Sequence, residues 1–288
     1  MLILGGLVFL LACVFGTFIA SGGNISVLME AIPFELVSIG GAASATLLMA
    51  NSMHDVKHTL GGVGKALKGS AFKKTDYVEL LSLLFHFCKL ASSKGLMALE
   101  VHIERPNESS IFQKYPKILA NHHATAVICD YLRMMGMNAD DPYQIEDVMA
   151  RELKKTLLEE LHGAHALQTI ADALPALGIV AAVLGVIKTM SHINDPPAVL
   201  GQMIGGALVG TFLGVLLAYG VAGPIATRLK GVVEEESRYY EVIRAILVAH
   251  LHGNAPQVSI ETGRKMAPNE HMPSFQELEE AVQAVQIT

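Results

Sequence analysis

Tryptophan is absent from this chain of 288 residues, and Asp, Glu, Lys and Arg together make up only 17% of it. Hydrophobic residues make up 51%, and the mean hydropathy is +0.42. This composition is too apolar for an ordinary soluble domain and indicates a membrane protein with a sizeable aqueous part. The formal net charge of −6, with no basic arm and no RNA-binding aromatic pattern, argues against a nucleic-acid partner.

Residue spacings that would indicate catalysis are also missing. The chain has no phosphate-binding loop, no dinucleotide fingerprint and no nucleophile elbow. His162 and His165 have a loose ligand spacing without a surrounding Cys or carboxylate shell, and are interpreted as surface or packing residues. Three cysteines show neither metal nor disulfide spacing: Cys13, Cys88 and Cys129. We therefore expect no enzymatic activity, no metal site and no cofactor.

Four apolar runs are each near or above the length of about 20 residues that a helix needs to cross a bilayer. They cover about 2–20, 34–51, 170–190 and 199–227. The first is too long for a signal-peptide core and has no preceding Lys or Arg, which predicts a retained membrane helix. Pro33 is interpreted as the start of the second helix. The fold predicted is an all-α integral membrane protein with four transmembrane helices and a helical cytoplasmic domain.

The distribution of Lys and Arg along the chain predicts the membrane topology. Of 21 Lys and Arg residues, 14 lie between 52 and 166 and six lie after 227, whereas the links 21–32 and 191–198 have none. The positive-inside rule then places both links outside and both termini in the cytoplasm. The predicted organisation lists four segments: a first helix pair at 1–51, a cytoplasmic helical domain at 52–166, a second helix pair at 167–227, and a cytoplasmic helix and tail at 228–288.

The second pair of membrane helices is rich in small residues and carries two prolines. Small residues let helix backbones approach closely in lipid, which predicts packing faces on these helices. Pro175 and Pro224 cannot donate to the carbonyls of Ala171 and Gly220, so each is either a helix end or a joint in a moving element. The predicted packing residues are Gly178, Gly185, Gly206, Gly210 and Gly214.

No ionisable side chain is expected near the membrane midplane. Asp172 is placed at the cytoplasmic end of the third span, and Glu35 and Lys188 near the outer surface. The interior then offers only hydroxyl groups, among them Thr211, whose simplest role is a hydrogen bond to its own helix. If the chain conducts an ion, the group that binds this ion must come from another chain.

The cytoplasmic segments are expected to be helical, with amphipathic patterns at 141–166 and at Phe275–Val285. One helix carries an apolar stripe through Leu80, Leu84 and Phe87, with Ser82 and His86 on the opposite face. Gly95 ends this helix, and a short helix follows it. On that short helix Glu100 and Glu104 lie one turn apart, either as a solvated face or as a patch that steers a charged partner.

Several motifs resemble the MotA family of flagellar motor stator subunits. The third span contains the run ADALPALGIVAAVLGV at 171–186, and the fourth contains GALVGTFLGVLLAYG at 206–220. The entry PFELV at 33–37 and the tail PSFQELEE at 273–280 are similar to this family as well. The similarity covers nearly the whole chain, and the motifs of spans three and four carry it most specifically.

This resemblance implies a torque generator of the bacterial inner membrane, driven by protons or sodium. Its subunits form a ring around single-span MotB helices, whose Asp binds the ion. The resemblance implies that Pro175 and Pro224 couple ion passage to movement and that Thr211 lines the ion route. Sodium-type relatives carry Thr where this chain has Ala182, which favours protons over sodium.

A contact with the rotor protein FliG is also implied by the resemblance. Glu100 would belong to the charged patch that engages FliG, with Glu104 beside it. The usual Arg of the family falls on Ser92 here, and Lys94 supplies a nearby positive charge. Two alternatives stay open: a proton-driven energiser of the ExbB or TolQ kind, which has three spans, and a membrane scaffold that conducts nothing.

Overall fold

A computed structural model describes residues 2–137 and 141–283 of the chain. Every regular element in these two ranges is helical, as predicted. The α-helices are α1 (Leu2–Ala20), α2 (Ile25–Ala50), α3 (Met53–Lys68), α4 (Lys74–Lys94), α5 (Glu100–Glu104), α6 (Pro116–Ala120), α7 (His122–Met137), α8 (Pro142–Met190), α9 (Pro197–Leu217), α10 (Gly223–Leu251), α11 (Pro256–Met266) and α12 (Phe275–Gln283). A π-helical segment, Ala218–Ala222, joins α9 to α10.

Four helices within the described ranges are long and apolar enough to span a membrane. They are α1, α2, α8 and the continuous helix Pro197–Leu251 that comprises α9, the π segment and α10. The chain divides into two compact units. The first unit comprises Met1–Gly69 and Glu160–Val232, and the second comprises Ser70–Glu159 and Val233–Thr288.

Helix α2 begins nine residues earlier than predicted. Asn24 is its N-cap, and its side-chain oxygen accepts a hydrogen bond from the backbone N–H of Ser26 at 3.0 Å. The prediction that Pro33 starts this helix is therefore wrong, since Pro33 lies inside α2. Because the helix rises about 1.5 Å per residue, Glu35 lies about 15 Å from its beginning rather than at its end.

Helix α8 is a single helix of 49 residues with Pro175 in its interior. It combines the amphipathic segment expected at 141–166 with the third apolar run. The first unit packs mainly through modest or small side chains. One buried cluster in it comprises Ile39, Ala43, Leu174, Ala181, Val209, Leu213 and Ala218.

The second unit has a conventional core of large apolar side chains, with α4 at its centre. Helices α6, α11 and α12 all contact α4. The expected polar face of α4 is wrong at two positions, since Ser82 is 5% and His86 3% exposed. The sequence did not predict α11, whereas α12 starts at Phe275 as expected; the expected end of that helix at Val285 lies outside the described residues.

Candidate functional site

Helices α8 and α9 contact each other through their backbones. A Cβ placed on Gly178 would lie 2.7 Å from the carbonyl oxygen of Gly210, and one on Gly214 would lie 2.6 Å from the carbonyl oxygen of Leu174. Real side chains do not approach backbone atoms so closely, so only glycine permits this crossing. This is the small-residue packing that membrane helices use, because lipid offers no hydrophobic preference for protein over lipid.

The other two predicted packing glycines make contacts of different tightness. A Cβ on Gly185 would lie 2.6 Å from the Cβ of Ala207, so α8 and α9 are also close near their outer ends. A Cβ on Gly206 would lie 3.9 Å from the Cβ of Ala31, an ordinary van der Waals contact with α2. One face of α9 therefore packs against α8, and another face packs against α2.

Neither proline of the second helix pair ends a helix. Pro175 is half-buried inside α8, directly after Leu174, whose carbonyl contacts Gly214. Pro224 is the second residue of α10 and follows the π segment. There the N–H of Gly223 bonds to the carbonyl of Ala218, five residues back, so the wider turn continues the helix up to Pro224. Both prolines therefore lie within continuous helical backbone, and the role of a joint stays a prediction for each.

Thr211 and Ala182 flank the same crossing point. Thr211 is half-buried, and its Cα lies 3.3 Å from where a Cβ of Gly178 would be. Its hydroxyl makes no hydrogen bond to any residue in 2–137 or 141–283, whereas Thr46 and Thr189 both bond to their own helices. Ala182 is 9% exposed and places its backbone nitrogen against Gly210. The hydroxyl of Thr211 therefore keeps its hydrogen-bonding capacity for another group.

Glu35 is the ionisable group that the sequence reasoning misplaced. A Cβ on Gly210 would lie 2.9 Å from Oε2 of Glu35 and 3.1 Å from the Cβ of Ala181. This carboxylate oxygen is buried and has no hydrogen-bond partner among the described residues. Gly210 is about 20 Å from the start of α9 by its rise per residue, so the carboxyl group contacts the middle of the span, not its end. The signal that could have revealed this is Asn24, an N-cap residue directly after two glycines.

A cavity of about 330 Å³ lies between α2, α8 and α9 on the outer side of Glu35. Its polar lining includes Glu30 and Gln202, which are joined by a hydrogen bond of 3.1 Å, and Lys188. Its apolar lining includes Ala31, Phe34 and Met203. The cavity thus combines a charged outer part with the carboxyl group of Glu35.

The predicted charged patch lies in the second unit. Lys94 is the last residue of α4, Gly95 follows with φ 81°, and Glu100 begins α5; both charged residues are exposed. Glu104 does not form an isolated like-charge pair with Glu100, because its Oε1 accepts a hydrogen bond from Nε of Arg133 at 3.0 Å and forms an ion pair with Nη2 of the same residue at 2.9 Å. Sequence reasoning missed Arg133, which comes from the distant helix α7.

Metal ligands are not assembled in the part of the chain that the structure describes, where no group of three or more His, Cys, Asp or Glu side chains could hold an ion. Fold and site together define a helical membrane protein with a close-packed, proline-bearing helix pair. Models of two families match it: the motility protein A N-terminal domain over residues 4–95, and the MotA/TolQ/ExbB proton channel family over residues 119–242.

Similar proteins extend this match to the whole chain. Motility protein A of Escherichia coli is 39% identical and that of Salmonella typhimurium 38% identical, each over 99% of this chain and 96% of the relative. The solved structure of C. jejuni MotAB matches with a TM-score of 0.74 and 19% identity, over 95% of this chain and 98% of that one, which shows a shared fold. The chain belongs to the motility protein A family, a branch of the MotA/TolQ/ExbB proton channel proteins.

Proposed function

We propose that this chain is a stator subunit of the bacterial flagellar motor, which couples the flow of protons to torque on the rotor. Membership of a proton channel family and relatives named motility protein A support this function. The observation that carries it is the crossing of α8 and α9. There Pro175, Thr211 and Ala182 lie within a few residues of one glycine contact in the middle of the apolar helices.

The partner we infer is a MotB-like single-span subunit that supplies an ion-binding Asp. The match to the solved structure titled C. jejuni MotAB supports a partner of this kind. The outer surface of α8 supports a helical neighbour, because its apolar side chains are exposed in the single chain: Ile179, Val180, Val183, Leu184 and Ile187. Large exposed apolar surfaces mark interaction with lipid or protein. We propose that copies of the chain form a ring around this partner, embedded in the lipid bilayer.

We propose that the protein lies in the bacterial inner membrane with both termini in the cytoplasm. The distribution of Lys and Arg supports this orientation, since 52–166 and 228–288 hold 20 of the 21. The division at 51, 166 and 227 then separates membrane helices from cytoplasmic segments.

Movement is proposed to arise at the prolines. Protonation of the partner's Asp removes a charge, which changes its preferred contacts along the route lined by Thr211 and shifts the ring toward its next position. Pro175 and the π segment before Pro224 provide the points at which α8 and α10 bend. Ala182 gives this route an apolar wall, which favours protons over sodium.

The rotor contact is proposed for the exposed charges Glu100 and Lys94, with FliG as the partner. Glu104 belongs to the same proposed patch, and its ion pair with Arg133 connects α5 to α7. Exposed charges of this kind set the orientation and rate of an encounter more than its affinity.

The function is tested with Pro175→Ala in cells whose own stator genes are deleted. The variant is expected to reach the membrane and assemble with its partner, yet to leave the cells unable to swim, because the joint in α8 is lost. Pro33→Ala is the matched control, since Pro33 also lies inside a membrane helix but is exposed and away from the α8–α9 contact. Normal swimming of the Pro175→Ala cells would contradict the proposed coupling.

The two rival functions make different predictions. An energiser of the ExbB or TolQ kind has three spans, whereas this chain has four span-capable helices in its described residues and matches the motility protein A N-terminal model. A scaffold would restore no swimming to a stator-deleted strain when it is expressed with its partner. Restored swimming by the wild-type pair excludes both.

A further inference from the structure

The carboxyl group of Glu35 has no part in the function proposed above. Its Oε2 is buried within the first unit and has no hydrogen-bond partner in the described part of the chain. An ionisable side chain inside a membrane span is costly, and those that persist usually belong to ion or proton pathways. This carboxyl group therefore requires either a bound proton or a charged neighbour, and each possibility points to function.

Gly210 makes room for this carboxyl group. Any side chain at this position would meet Oε2 of Glu35 at 2.9 Å and the backbone nitrogen of Ala182 at 3.2 Å. Glu35 consequently reaches the part of α9 that carries the next residue, Thr211. The hydroxyl of Thr211 makes no hydrogen bond within the described residues, and hydroxyl groups can both donate and accept. The carboxyl group of Glu35, a proton acceptor, thus contacts Gly210, which directly precedes the hydroxyl-bearing Thr211.

The cavity beside Glu35 gives access from the outer side. Its volume of about 330 Å³ is several times the share of one water molecule, about 30 Å³ in the liquid, and its lining contains the polar groups that hold water. Glu30 from α2, Lys188 from α8 and Gln202 from α9 surround its outer part. The cavity is therefore large enough and polar enough for water to reach the carboxyl group of Glu35.

We propose that Glu35 is a proton-binding site of this chain itself, which takes up protons from the outer cavity before they reach the partner's carboxylate. In this step the carboxylate of Glu35 accepts one proton from cavity water and becomes neutral. It then releases the same proton inward, to water or to the partner's carboxylate, and regains its charge. The inference rests on the proposed function and adds to it a second titrating group, on the larger subunit.

The charged groups that face the cavity shape the response of this site to pH. The charged groups that line the cavity together with Glu35 are Lys188 from α8 and Glu30 from α2. Gln202 binds Glu30 and adds no charge. A change in external pH is therefore expected to act on Glu35 through this cavity.

The test compares Glu35→Gln with the wild-type chain in stator-deleted cells that express the single-span partner. Glutamine has nearly the same shape and cannot bind a proton. At low load we expect motor rotation to slow on the order of tenfold, and its response to external pH to weaken. Glu35→Asp keeps a carboxyl group and is expected to restore most of the rotation speed and most of the response to external pH. Asp195→Asn, in the outer turn, removes one negative charge away from the cavity and should leave speed and pH response unchanged.

The outcomes separate this inference from the proposed function. If the wild-type pair does not turn the motor, the proposed function fails. If the wild-type pair turns it and Glu35→Gln matches it in speed and pH response at equal membrane level, only the inference is overturned. If Glu35→Gln does not accumulate, Glu35→Asp and Glu35→Asn repeat the comparison with shorter side chains. If neither Glu35→Gln nor Glu35→Asn accumulates in the membrane, Glu35 has a structural role, and this result also overturns the inference.

Discussion

Helices α1 and α4 are nearly equal in length, at 19 and 21 residues, but they treat apolar side chains in opposite ways. No residue of α1 is buried, although almost all of its side chains are apolar. In α4, eleven residues between Tyr77 and Leu90 are buried, including polar Ser82 and His86. Apolar character therefore indicates a buried core in the second unit, whereas in the first it indicates surface that lipid or other subunits cover.

The packing inside the first unit also differs from the packing inside the second. The second unit buries large side chains such as Tyr77, Phe87 and Tyr239, which gain stability from the area that they remove from water. The first unit brings backbones together at Gly178, Gly210 and Gly214. Loss of side-chain volume should therefore damage the second unit, and addition of volume should damage the first.

The largest effect is expected from Leu84→Ala in α4. Leu84 is fully buried, and truncation of a buried leucine costs about 2–5 kcal/mol. Amide hydrogen exchange of α4 in the purified protein should report this loss as faster opening. Leu4 in α1 is 56% exposed. Leu4→Ala should therefore change the free energy of opening, measured by hydrogen exchange of α1, by less than about 1 kcal/mol. Equal effects at the two positions would remove the contrast between the units.

An intermediate effect is expected from Gly178→Ala at the helix crossing. The added methyl group meets the backbone of Gly210, so α8 and α9 must separate, at a cost of about 1–3 kcal/mol. The melting temperature of the detergent-purified protein should fall, and swimming should weaken with it. Gly41→Ala is the control, because nothing lies within 4 Å of a Cβ there. If Gly41→Ala were the more damaging change, close backbone packing would not be what stabilises the first unit.

The smallest effect concerns the pH response of the second unit. Burial, with smaller contributions from the nearby positive charges of Lys114, His102 and Lys89, lowers the pKa of His86 to about 4. The unfolded chain therefore binds a proton at His86 below about pH 6.5 while the folded chain does not, so stability falls as the pH drops toward 4. His86→Leu should reduce this loss by about 1–2 kcal/mol at pH 5.

Thermal melts at several pH values measure this response. His122→Leu is the control, since that ring is exposed and meets water in both states. A pH slope unchanged by His86→Leu would show that other groups cause the loss of stability in acid.

The sequence predicted those features that depend on composition and spacing along one helix. The apolar runs gave α1, the third span and the fourth span, and the glycine spacing pointed to the faces that meet between α8 and α9. Pro33 was misinterpreted because a proline in the first turn and a proline inside a membrane helix look alike in sequence. That error displaced Glu35 by about a third of the span and hid the ionisable group of the first unit.

Features that depend on tertiary contacts could not be predicted in this way. Ser82 and His86 look like a polar face until α6, α11 and α12 surround α4. The ion pair of Glu104 with Arg133 joins residues 29 positions apart, so no helical spacing reveals it. The π segment has no sequence signature of its own beyond the proline that follows it.

That π segment has a consequence for the geometry of the fourth span. A single π turn holds one residue more than an α turn, and one residue corresponds to about 100° of rotation around the axis. Deletion of a single residue between Ala218 and Ala222 would convert the wide turn into a regular α turn and leave the later side chains of α10 close to their present direction, whereas a deletion in the regular part of α9 would turn them by about 100°. The π segment is thus the one described part of the fourth span where the loss of a single residue keeps the faces of α10 in register, so such a deletion should be tolerated better there than in α9.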